Sequence, residues 1–171
     1  MNVILVGYRG CGKSTIGRKL ADRLWQTFVD TDELIVRRAG KPINRIFAED
    51  GEPAFRDLES AVLREVLAAD ETIIALGGGT VIREENRRLI KSSGAKVIYL
   101  RCDIGVLDQR IQSDARTGEN RPALTALGGG LEEITLKIAE REPLYREVMT
   151  AEFDVTHQTV DDAVHRIVRM L

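Results

Sequence analysis

Short, nearly continuous apolar runs alternate along the chain with longer stretches whose apolar residues recur every three or four positions. Asn2–Val6 lacks the alternation of a half-exposed strand, which predicts a strand buried on both faces. A glycine-rich turn follows it, and Lys13–Leu24 then carries helical spacing through Ile16, Leu20, Ala21 and Leu24. Thr27–Asp30, Thr72–Leu76, Ala95–Leu100 and Glu152–Val155 are the other predicted strands. Between them, Glu33–Ala39 reads as a helix stopped by Gly40, with Pro42 forbidding continuation. Ile43–Ala48 is a short helix ended by Asp50-Gly51. Glu52-Pro53 opens a longer one, whose stripe is Leu58, Val62, Leu63, Val66 and Leu67. Helices are also predicted over Glu84–Lys91, Ile104–Ile111, Leu131–Arg146 and Thr159–Leu171, the last with Thr159 as its N-cap. Ser113–Gly130 has no apolar period and holds four glycines, so it reads as a long loop.

Five strands separated by helices imply right-handed crossovers and a parallel sheet covered on both faces. The expected fold class is α/β, a three-layer sandwich with a five-stranded parallel sheet. No Pro/Ser-rich linker divides the pattern, so residues 1–171 are expected to form one domain. Composition narrows this only by exclusion. The balance of 25 Lys+Arg against 27 Asp+Glu gives a net charge of −2, which offers no global field for nucleic acid or an anionic membrane. The apolar runs are too short to span a bilayer, and the opening residues lack the pattern of a signal peptide. Cys11 and Cys102 are the only cysteines, a count that suits reduced thiols in a cytoplasmic chain.

The chemistry begins at the turn after the first strand. Gly7-Tyr8-Arg9-Gly10-Cys11-Gly12-Lys13-Ser14-Thr15 fits G-x-x-x-x-G-K-[ST] and lies between strand and helix, where that motif must lie. Its glycines let successive N–H groups turn toward phosphate oxygens, and the helix N-terminus adds positive potential. Lys13 can reach the β- and γ-phosphates, and the Ser14 hydroxyl can sit on Mg²⁺. Asp30-Thr31-Asp32 follows the second strand at the carboxyl edge of the sheet, where ligands bind in open α/β folds. Two readings are open for Asp32: a helix cap, or one of a carboxylate pair handling magnesium and a substrate hydroxyl. Beside a phosphate loop the second is preferred. Gly77-Gly78-Gly79 after the third strand permits either close approach of a ligand or a tight turn.

Taken together, the segments GYRGCGKST, FVDTDELI, IFAEDGEPAFRDLE, LGGGTV, NRPAL and REPLY resemble the shikimate kinase family, and they span Gly7 to Tyr145. The resemblance implies a P-loop kinase architecture and transfer of the γ-phosphoryl of ATP to the 3-hydroxyl of shikimate, on the route to chorismate and the aromatic amino acids. It implies that Gly10, Cys11, Gly12, Lys13, Ser14 and Thr15 cradle the phosphates, with Mg²⁺ on Ser14 and Asp30. Asp32 would hold the shikimate hydroxyls and accept or orient the reacting proton. Arg56 and Arg141 would grip the carboxylate, and Gly78 and Gly79 would offer backbone to the ring hydroxyls. Arg121 corresponds to a lid arginine reaching the ATP phosphates, while Arg110 and Gln158 correspond to adenine contacts.

The resemblance also implies a shikimate-binding region over about residues 32–61 and a lid over about residues 113–130. ATP and shikimate are the expected partners of a cytoplasmic monomer that binds neither nucleic acid nor membrane. The glycine-rich stretch Thr125–Gly130 departs from the family pattern and is expected to be a tolerated surface insertion rather than an extended hinge. Two rivals remain: a gluconate kinase, which should lack the Arg56, triple-glycine and Arg141 set, and a nucleotide-binding module without catalysis, in which at least one site residue should have been lost.

Overall fold

The computed structural model describes residues 1–114 and 130–171. Arg121 and nearly all of the expected lid therefore lie outside the described residues. The strands are β1 (Val3–Val6), β2 (Thr27–Asp30), β3 (Thr72–Ala75), β4 (Lys96–Arg101) and β5 (Ala151–Asp154). The described helices are α1 (Lys13–Leu24), α2 (Thr31–Ala39), α3 (Ile43–Asp50), α4 (Glu52–Leu67), α5 (Glu84–Ser92), α6 (Ile104–Ser113), α7 (Leu131–Val148) and α8 (Val160–Val168).

All five strands run parallel in the order β2-β3-β1-β4-β5. Position in that order explains their composition. Central β1 places Val3 beside Ile73 on one flank and Lys96 on the other, and its four residues are all buried. The edge strands β2 and β5 read TFVD and AEFD, and only Phe153 of the eight residues is fully buried. Alternation along β1 feeds two cores, because successive side chains leave a strand on opposite faces. Val3 and Leu5 join Ile16, Leu20, Leu107, Phe153 and Ile167, beneath α1, α6 and α8. Ile4 and Val6 join Ile35, Val62, Leu63, Ile90 and Val97, beneath α2, α4 and α5. Helix α7 serves both: Ile134 near its start belongs to the first core, while Tyr145 and Val148 near its end belong to the second.

The element boundaries move in a few places. Helix α2 begins at Thr31 rather than Glu33, because Asp30 caps it: the Asp30 carboxylate accepts from the backbone N–H of Asp32 at 3.0 Å and of Glu33 at 3.2 Å. Asp32 is therefore inside the first turn, and the capping reading of that residue is corrected. Helix α3 continues to Asp50, and α8 ends at Val168 rather than Leu171. Ser113, expected as the first residue of the loop, closes α6. Helix α7 passes through Pro143 and ends two residues later than expected, at Val148. Thr159 does cap α8, accepting from the Asp162 N–H at 3.1 Å.

Candidate active site

The phosphate loop joins β1 to α1. Gly12 sits at the helix N-cap with φ +96°, a left-handed conformation that favours glycine. Lys13 begins the helix, and its Nζ donates to the carbonyls of Gly7 at 2.7 Å and Tyr8 at 3.0 Å, so its ammonium lies over the loop. The Ser14 hydroxyl donates to the Asp30 carboxylate. These two oxygens bring together the first turn of α1 and the carboxyl end of β2, a small oxygen-donor pair at the edge of the loop.

A cleft of about 720 Å³ opens above this edge of the sheet. Its walls include every residue from Arg9 to Ile16, with Asp30, Asp32, Gly78, Arg110 and Gln158. Most of the expected site residues are thus brought to one cavity by four separate strand ends. Arg110 reaches the phosphate loop, where its Nη1 donates to the Gly10 carbonyl at 3.3 Å. Arg56, Gly79 and Arg141 are not among the residues lining this cleft; the Arg56 guanidinium packs on Gly79, and Arg141 lies over the Tyr8 ring.

The triple glycine is explained by that arrangement. A Cβ on Gly79 would run into the Arg56 guanidinium, and one on Gly77 would meet the Asp32 carboxylate at 2.5 Å. The turn is bare because a carboxylate and a guanidinium pack directly against its backbone. The Gly77 N–H donates to the Thr31 hydroxyl at 3.0 Å. The Gly78 carbonyl accepts from the Tyr145 hydroxyl at 2.6 Å, which leaves the Gly78 amide as the group available to a ligand.

Two arginines behind the turn are buried in different ways. Arg56 donates through Nη1 to Glu59 at 2.8 Å, and both side chains are nearly inaccessible. Glu59 also accepts from the Thr80 hydroxyl at 3.0 Å. Burial pushes the Glu59 carboxyl above its ordinary range, opposed by the Arg56 guanidinium and the Thr80 hydroxyl. Arg141, only 6% exposed, has no ion-pair partner among the described residues and stands 5.8 Å from the centre of the Tyr8 ring. The Nε of each arginine is buried without a hydrogen-bond partner. A desolvated cation with unsatisfied donors is costly unless an anion completes it. Arg56 is offset by two carboxylates, Glu59 and, through Nη2 at 3.4 Å, Glu52, whereas Arg141 is the guanidinium left without such an offset among the described residues.

Sequence reasoning did not find Glu59, Tyr145, Thr31, or the pairing of Arg9 with Glu133 at 3.0 Å. Glu59 was accessible in principle, since it follows Arg56 by three residues on a helix and shares its face. The others depend on contacts across more than 40 residues and leave no local signal.

A phosphate loop at the carboxyl edge of a parallel sheet, with an oxygen pair beside it and a cleft above it, marks the class of P-loop phosphotransferases. A sequence model of the shikimate kinase family matches residues 9–171. The chain belongs to that family. A shikimate kinase of Rhodopirellula baltica is 40% identical over 168 residues, covering 98% of this chain and 89% of that protein. The structure of a shikimate kinase from Acinetobacter baumannii, in complex with shikimate, superposes with a TM-score of 0.91 at 33% identity and covers 99% of this chain and 91% of its own. A gluconokinase from Sinorhizobium meliloti has a TM-score of 0.63 at 19% identity, covering 99% of this chain and 92% of its own, a likeness of fold alone.

Proposed function

We propose that the chain transfers the γ-phosphoryl group of ATP to the 3-hydroxyl of shikimate, giving shikimate 3-phosphate and ADP for chorismate synthesis. The observation that supports the acceptor assignment is Arg141: a buried guanidinium with an unpartnered Nε and no ion-pair partner among the described residues, which with Arg56 acts on the buried Glu59 carboxylate. A substrate carboxylate accepting from Arg141 completes it, with Arg56 as the second donor in this reading, and arginine offers the forked donors that lysine lacks. The A. baumannii relative is described in complex with shikimate, a carboxylate bearing three hydroxyls.

In this reading the bond between the γ-phosphorus and the β,γ-bridging oxygen breaks, the acceptor oxygen forms the new bond, and the hydroxyl proton leaves. The N–H groups of Gly10–Thr15 and the Lys13 ammonium hold the phosphates as charge shifts toward the leaving oxygen. Lys13 exchanges the Gly7 and Tyr8 carbonyls for phosphate oxygens. Asp32, pressed against Gly77, would chiefly orient the reacting hydroxyl and would accept its proton. The Gly78 amide and the Gly79 backbone meet ring hydroxyls, and Arg110 and Gln158 border the adenosine. Arg121 brings a further cation to the phosphates.

Ser14 and Asp30 form a hard oxygen pair that fits Mg²⁺, which takes its remaining ligands from water and phosphate and so needs no larger cluster. Bound there, Mg²⁺ would neutralise phosphate charge. We take the whole chain as one kinase domain, with its acceptor region over residues 32–61, acting as a monomer. No helix among the described residues is long and apolar enough to cross a membrane. Two unbonded thiols fit the cytoplasm, the compartment we infer.

The test is ADP release in the presence of ATP and Mg²⁺, with shikimate or gluconate as acceptor. Release with shikimate and not with gluconate is expected. The reverse preference would move the chain to the other kinase class, and release with neither would support a module without catalysis.

A further inference from the structure

Helix α7 touches three parts of the site in succession. Glu133, in its first turn, is wholly buried and accepts from Arg9 Nη2 of the phosphate loop at 3.0 Å. Arg141 lies eight residues further on, beside Tyr8, and Tyr145 follows one turn later with its hydroxyl on the Gly78 carbonyl. From Glu133 to Tyr145 the helix rises about 18 Å, and along that length it passes from the core beneath α1 to the core beneath α4. Tyr8 stands between the ends of this connection, with the Arg9 guanidinium and the Arg141 guanidinium each 5.8 Å from its ring centre. The phosphate loop and the glycine turn also nearly touch. A Cβ on Gly78 would meet the Gly7 carbonyl at 3.4 Å and the Arg9 amide at 3.5 Å.

We infer that Arg9 and Glu133 are positioning residues that couple the nucleotide site to the acceptor site. Phosphates ordering the loop at Gly10–Ser14 fix Arg9, their immediate neighbour. Arg9 holds Glu133, and Glu133 sets the seating of α7. That helix in turn places Arg141 for the carboxylate and the Gly78 backbone for the ring hydroxyls. A carboxylate with no exposed surface needs a charged, hydrogen-bonding partner to remain in the fold, so the connection is stiff rather than incidental. A rigid helix carrying one group for each ligand lets occupancy of one site favour the geometry the other needs. Neither Arg9 nor Glu133 needs to touch shikimate. This inference rests on the shikimate kinase reading above.

The experiment measures the dissociation constant of shikimate by calorimetry, with and without saturating ADP and Mg²⁺. It compares the unaltered protein, Glu133→Gln, and the double variant Arg9→Met with Glu133→Gln. The double variant removes both charges of the Arg9–Glu133 pair together, and Glu133→Gln alone keeps the test valid if loss of Arg9 prevents folding. The unaltered protein is expected to bind shikimate about fivefold or more tightly when ADP is present, and ADP affinity must change by the same factor on adding shikimate. In both variants, shown to be folded by circular dichroism, that ratio is expected to fall toward one while each ligand's separate affinity changes less. Arg9→Lys with Glu133 intact should restore part of the ratio. A ratio of one in the unaltered protein, or a ratio retained in folded variants, overturns the coupling and leaves the kinase reading standing. Absence of any shikimate binding to the unaltered protein would instead overturn both.

Discussion

Replacing Arg141 by methionine separates ligand binding from stability with opposite signs. Arg141 is buried and carries an unpartnered Nε, and among the described residues it has no ion-pair partner. Its desolvation is therefore poorly offset until a ligand arrives, and a methionine of similar length removes that burden while keeping contact with Tyr8. Truncating one partner of a desolvated charge pair weakens binding by about 2–5 kcal/mol. At about 1.4 kcal/mol per tenfold, this corresponds to roughly a 30- to 4,000-fold rise in the dissociation constant for shikimate. The melting temperature should stay level or rise. Arg56→Met is the contrast, because it strands Glu59, whose side chain is only 2% exposed. Breaking such a buried pair costs about 3–5 kcal/mol, and at about 2–4 °C per kcal/mol for a domain of this size the melting temperature should fall by roughly 6–20 °C. Calorimetric titration with shikimate and with ADP, beside differential scanning calorimetry, reads all of these quantities. A large loss of stability in Arg141→Met, or equal losses of shikimate and ADP affinity, would show that Arg141 supports the fold and would refute the argument.

Three further outcomes are expected. Asp30→Asn should preserve the α2 cap while raising the Mg²⁺ concentration that turnover requires, whereas Asp30→Ala should also cost about 1 kcal/mol of stability; equal stability of the two in urea would deny the cap. Lys13→Ala should lose most turnover with an unchanged melting temperature, since its Nζ contacts only loop carbonyls and the Cys11 sulfur; normal ADP release from this variant would remove Lys13 from the phosphate site. Burial raises the phenol pKa of all three tyrosines, Tyr8, Tyr99 and Tyr145. A raised folded value means the folded protein holds these protons more tightly, so stability is complete below the ordinary phenol value of about 10 and declines as pH rises through the folded values. Absorbance at the phenolate band should therefore appear late and together with unfolding, and a midpoint near the ordinary value in the folded protein would contradict the burial.

What could be read from the chain follows from how local each feature is. The phosphate-loop motif was legible because its residues are consecutive: the glycines and Lys13 that shape the turn are neighbours in the chain. The central strands announced themselves as unbroken apolar runs, since both faces of β1, β3 and β4 are covered. The start of α2 falls two residues before the expected Glu33 because Asp30, the last residue of β2, is itself the cap, and two aspartates flank that point. The triple glycine was legible as a turn, but its cause, contact with Arg56 and Asp32, was not, because those side chains come from two other segments. Arg141 was identifiable only through the REPLY motif. Its incomplete burial partners became visible once Tyr8, more than 130 positions earlier, was placed beside it. Arg9 and Glu133 had no signal at all, since their meeting depends on α7 returning across the carboxyl edge of the sheet.

The central claim is that phosphate loop, Asp32 and the two buried arginines serve one transfer, from ATP to a hydroxyl of shikimate. Phosphorus NMR of the protein with ATP, Mg²⁺ and shikimate tests it most directly. The account predicts a single new phosphomonoester resonance that grows in equal amount with ADP and couples to the ring proton at position 3. Release of inorganic phosphate alone, or a phosphomonoester on another hydroxyl, would contradict it.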